Sequence, residues 1–101
     1  MSSTYISGEG GNFQISGELS FKTVNAVLAE SKVSIFAEAA TQLDLDLGNV
    51  ARADSAGLAL LIQWMRMARE HDTNIRFHHL PKQLLAIARA GELDTLLPVA
   101  E

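Results

Sequence analysis

The sequence predicts an α/β fold, a mixed sheet that opens with an N-terminal hairpin and continues through strands joined by helical crossovers. Two patterns predict it. Apolar residues recur at helical spacing in three separate stretches, and short segments of strand type lie before and between them. A run of glycines between the first two strand segments supplies the hairpin turn. The 101 residues are read as one domain, 1–101, and their 48% hydrophobic and 20% charged composition can fill a modest core.

Tyr5 and Ile6, then Phe13 and Ile15, flank Gly8-Glu9-Gly10-Gly11, so residues 4–7 and 12–16 are expected to pair. The glycines do not form a phosphate loop, because no Gly-Lys-Ser/Thr follows and no helix opens at them. Gly17-Glu18-Leu19-Ser20 is read as the end of the strand, and a helix is expected from about Phe21. Val24, Val27, Leu28, Ser31 and Ile35 share one face of that helix, and Lys32 to Ala40 either extend it or bend. Gln42 to Leu47 alternates strictly, which turns the leucines to a core and Asp44 and Asp46 to the other face. Gly48-Asn49 is read as a turn.

The chain is organised around the next stretch, Ala53 to Glu70. Asp54 and Ser55 are residues that cap helices, and strong helix formers follow them. Leu58, Leu61, Ile62, Met65 and Ala68 gather on one face. Leu60, Trp64 and Met67, continued by His71, lie roughly 180–240° around from Leu58. Either another element of the chain covers this second stripe, such as the segment after Gly91, or a partner does. Beyond a polar loop at residues 70–74, Ile75 and Phe77 mark a short strand with Arg76 and His78 on its other side. Pro81 suits the start of a helix whose apolar face is Leu84, Leu85, Ile87 and Ala88, and Gly91 ends it. Leu93, Leu96 and Leu97 precede Pro98 in a short closing strand or turn.

Chemistry is sparse. His78 and His79, as neighbours on a continuing strand, would point to opposite faces and share no metal site. Asp44 and Asp46 have no further ligand cluster near them in sequence, and Ser55 lacks the Gly-x-Ser-x-Gly setting of a hydrolase nucleophile. The chain is therefore read as a non-enzyme with no cofactor, no metal and no catalytic residue. A net charge of −4 gives no broad footprint for nucleic acid, and no apolar run approaches a membrane span, so direct membrane insertion is not expected. The absence of cysteine fits a reducing compartment, and Met1 to Tyr5 lack a secretory start, which together place the protein in the cytoplasm.

Ile15-Ser16-Gly17-Glu18-Leu19 and Asp54-Ser55-Ala56-Gly57-Leu58, in this order and at this separation, resemble the STAS family of sulfate transporters and anti-sigma factor antagonists. The resemblance implies a STAS-like (SpoIIAA-like) fold. In the antagonist branch the matching serine is phosphorylated by an anti-sigma factor serine kinase, which makes Ser55 the candidate phosphoacceptor. A helix N-terminus favours the added phosphate, while Asp54 opposes it. Gly57 costs helix stability of about 1 kcal/mol relative to alanine and lets another backbone come close. The run from Gly57 to Arg69 and the short length are most similar to the MlaB-like subunits of the Mla phospholipid transporter, which maintains outer-membrane lipid asymmetry. That likeness implies an accessory subunit that binds an ABC transporter ATPase and so lies peripheral to the inner membrane. The implied partner-binding residues are Asp54, Ser55, Gly57, Leu60, Trp64, Met67 and His71.

Overall fold

The computed structural model describes residues 5–37 and 40–100. Thr4 of the expected hairpin, Met1 to Ser3, and Glu38 and Ala39 after the first helix lie outside the described residues. The elements are β1 (Tyr5–Glu9), β2 (Asn12–Leu19), α1 (Val24–Val33), β3 (Gln42–Ala53), α2 (Ser55–Glu70), β4 (Asn74–His78) and α3 (Lys82–Ala90), followed by a 3-10 turn at Asp94–Leu96. They build one four-stranded sheet in the order β1-β2-β3-β4.

β1 and β2 are antiparallel, with Glu9 opposite Asn12 across the Gly10-Gly11 turn. Both turn glycines have positive φ, 64° and 85°, the backbone a two-residue type I′ hairpin demands. β2/β3 and β3/β4 are parallel. Each crossover steps one strand in the same direction, so right-handed connections carry α1 and α2 to the same face. α3 packs on α2 and β3, which adds it to that layer. Phe13, Ile15, Leu43, Leu45, Leu47, Ile75 and Phe77 are buried beneath the helices. The alternate residues Gln14, Asp44, Asp46 and Arg76 stand on the opposite, uncovered face.

Both sheet margins are occupied by the chain itself. The outer amide of Ile6 on β1 donates to Glu30 Oε2 of α1 at 3.1 Å. On β4, the Phe77 amide donates to the Pro98 carbonyl at 2.8 Å and its carbonyl accepts from Ala100 at 2.9 Å.

Three local expectations are corrected, and one open alternative is settled. β2 runs on to Leu19 instead of ending at Gly17, and α1 starts at Val24, three residues after Phe21. α1 stops at Val33, so the following segment bends. Gly48-Asn49 is no turn: β3 passes through it, carrying extra residues against β2 between the Asp46 and Asn49 pairings and again between Val50 and Arg52. The first of these bulges resets the alternation, so that Leu47 and Val50 are both buried.

Candidate functional site

The site forms where β2, β3 and α2 converge. Asp54 leaves β3 in extended geometry and caps α2, its Oδ1 accepting from the amides of Ala56 at 2.9 Å and Gly57 at 3.3 Å. Its second oxygen, Oδ2, accepts from the Phe21 amide at 3.2 Å. One carboxylate thus fastens the helix start to the β2–α1 turn. Ser55 is the first residue of α2 and is exposed. Gly57 is buried against β2: an added Cβ would stand 2.5 Å from the Leu19 carbonyl oxygen. The helix enters this close to the sheet only because residue 57 has no side chain.

The turn facing Ser55 is held by its own side chains. Thr23 Oγ1 donates to the Glu18 carbonyl at 2.7 Å and accepts from the Ser20 amide at 3.0 Å. Ser20 Oγ donates to Glu18 Oε2 and accepts from the Lys22 amide at 3.2 Å. The turn presents Phe21, which is 71% exposed. Sequence reasoning missed this residue by reading it as the first of a helix; its signal was a large aromatic two residues past the strand end at Leu19. Between α1 and α2, Val24, Leu28, Ala56, Ala59 and Leu60, together with Asn25 and Gln63, line a shallow groove.

The expected outward stripe of α2 is corrected. Trp64 is 0% exposed, and Leu60 and Met67 are buried as well. Gly57, Leu61, Trp64 and Ala68 mark the centre of a single buried arc of about 180°, with Leu58 on one flank and Leu60 and Met67 on the other. Such breadth arises because α2 lies between α1 and α3 as well as over the sheet. The cover over Trp64 is α1, not the segment after Gly91: the indole Nε1 donates to Ser31 Oγ at 2.9 Å, and Ser31 donates to the Leu28 carbonyl at 2.7 Å. His71 is exposed at the far end of α2, with its ring against Phe36. Asp54, Ser55 and Gly57 therefore sit together at one end of α2; Leu60 reaches only the lining of the groove there, and Trp64, Met67 and His71 do not join them on a common surface.

The uncovered sheet face corrects one further expectation. β4 ends at His78, and His79 takes a positive φ of 57°, so both imidazoles turn to the two aspartates. His78 Nε2 lies 2.7 Å from Asp44 Oδ1, and His79 Nδ1 lies 3.1 Å from Asp46 Oδ1. The His78 hydrogen bond, with the Arg76 guanidinium, holds the Asp44 carboxyl below the usual carboxylate range against the effect of burial. Burial pushes Asp46 up, but the Gly48 amide and His79 outweigh it and hold that carboxyl low too. Among the described residues no three His, Asp or Glu side chains are arranged to hold a metal ion. No described helix is long and apolar enough to cross a membrane.

A mixed sheet layered on one side by helices, with an aspartate-capped helix presenting a serine, defines an α/β domain of the type built by anti-sigma factor antagonists. The chain belongs to the STAS domain family: the family described as "Mlab, STAS domain" matches residues 2–98. A comparison with curated proteins gave no match. Among solved structures it is similar to the anti-sigma factor antagonist SpoIIAA in its unphosphorylated form, with a TM-score of 0.72 and 18% identity, covering 97% of this chain and 88% of that one. An anti-sigma factor antagonist from Mycobacterium paratuberculosis gives 0.75 at 20% identity, covering 95% and 82%. A sulfate transporter family protein from Wolinella succinogenes gives 0.67 at 14% identity, covering 87% and 73%.

Proposed function

We propose that the chain is a non-catalytic subunit that binds the cytoplasmic ATPase of an Mla-type phospholipid ABC transporter through the N-terminal end of α2, and supports that ATPase. The observation that carries this reading is the family match over residues 2–98, whose description names MlaB. The geometry agrees with a binding role, since the exposed Ser55 lies between Asp54, which fastens the β2–α1 turn, and Ala56, which lines a shallow groove. Co-expression with an Mla-type ATPase from the same organism, followed by purification and ATP turnover, tests the proposal. A stable complex with raised turnover, and none from the chain alone, is the expected result. Absence of a complex refutes it.

A second reading, a phosphorylation-regulated anti-sigma factor antagonist, is favoured by the exposure of Ser55 at a helix start. A phosphate there would find the Ala56 and Gly57 amides already taken by Asp54 and would lie next to its carboxylate. Modification would then act by adding repulsive charge to the docking end. Incubation with a serine kinase encoded nearby, followed by mass spectrometry, should place phosphate on Ser55 and lose it in Ser55→Ala; an unmodified Ser55 refutes this reading.

A further inference from the structure

We propose that Phe21 is the aromatic anchor of the partner interface, seated in an apolar pocket of the ATPase, and that Asp54 is its positioning residue. The inference rests on the function proposed above and adds the residue that carries the affinity. Most of the Phe21 side chain is in water, so the fold gains little burial energy from it. The backbone beneath it is nonetheless fixed from both sides. Thr23 and Ser20 close the turn internally, and Asp54 Oδ2 ties the Phe21 amide to the helix that bears Ser55. A rigidly presented aromatic loses little freedom on binding, which is what makes such residues interface hot spots. The turn leads into α1, where Val24, Leu28, Ala56 and Ala59, with the polar Asn25 and Gln63, line a shallow groove against α2.

A protein pocket fits this knob better than a lipid surface. Phe21 is a single aromatic, and around it the carboxylates of Glu18 and Asp54 offset the cations of Lys22 and Arg52 in a chain of net charge −4, so no basic cluster draws it to anionic headgroups. Asp54 acts on Phe21 through the backbone, so its two oxygens have separable duties. Asp54→Asn keeps one oxygen able to cap α2 and replaces the other by an NH2 group, which cannot accept from the Phe21 amide.

The test measures affinity of the wild-type chain, Phe21→Ala and Asp54→Asn for the purified ATPase, with thermal melting and amide exchange on each free chain. Phe21→Ala should weaken binding by about 30-fold or more with an unchanged melting temperature. Asp54→Asn should give an intermediate loss, roughly 3- to 10-fold, with faster exchange at the Phe21 amide. Wild-type affinity in Phe21→Ala overturns the anchor while leaving the proposed function standing. Unchanged affinity and exchange in Asp54→Asn overturn the positioning role. Failure of the wild-type chain to bind overturns the function and this inference together. Phe21-dependent sedimentation with phosphatidylglycerol vesicles in the absence of ATPase overturns the protein pocket in favour of a membrane.

Discussion

Ser31→Ala removes the oxygen that accepts from the Trp64 indole, 2.9 Å away, in a place where neither residue is exposed. The stranded N–H has no water to turn to, so the cost is the desolvation of an unpaired donor, about 1–3 kcal/mol. For a chain of 101 residues a loss of ~2 kcal/mol lowers the melting temperature by about 8–16 °C. Trp64→Phe deletes the donor itself, and in that background the same Ser31→Ala change should cost well under 1 kcal/mol. The four chains of this cycle are compared by urea unfolding, followed by far-ultraviolet circular dichroism because Trp64 is the sole tryptophan. Equal costs of Ser31→Ala in both backgrounds, or a single-mutant loss below about 0.5 kcal/mol, would refute the role of this hydrogen bond. Trp64→Ala itself should destabilise by about 3–5 kcal/mol, as a core truncation does. A small stability loss there would reopen the surface role first expected of Trp64.

In an ordinary helix Gly→Ala gains about 1 kcal/mol, but Gly57→Ala should lose several, because its Cβ meets the Leu19 carbonyl oxygen at 2.5 Å; urea unfolding gives the sign. Asp44 has a folded-state pKa held below its unfolded value, so its contribution is present above about pH 4 and lost as the pH falls through the folded value. Asp44→Asn should therefore flatten the acid limb of the stability–pH profile and leave its slope above pH ~5 nearly unchanged. A mutant acid limb as steep as the wild type's would contradict the pairing with His78 and Arg76.

Local signals carried the fold well. The cap at Asp54 and the helix formers after it marked the start of α2, and the alternating leucines at positions 43, 45 and 47 marked the core face of β3. What escaped was set by distant partners. Nothing near Trp64 in sequence announces that Ser31, 33 residues earlier, will supply its acceptor, so two flanks of one buried arc looked like two faces. The bulge at Gly48 arises from pairing with β2, and a glycine beside an asparagine reads locally as a turn. His79 reaches its aspartate only by leaving strand geometry, which a two-residue period does not foresee. Asp54 was legible as the cap of α2 because capping is local; the Phe21 turn was not, since its tie to Asp54 joins positions 33 residues apart.

The two sheet margins differ in how easily mutation can reopen them. β4 is closed by main-chain bonds from Pro98 and Ala100, which most side-chain replacements leave intact. Among the described residues, β1 is met by one carboxylate, that of Glu30, over the Ile6 amide. Loss of that single side chain would uncover a hydrogen-bonding rail beside Tyr5, which is already 60% exposed. Mutation therefore opens the β1 side more readily than the β4 side, and replacement of Glu30 should favour self-association more than replacement of Pro98 or Ala100 does.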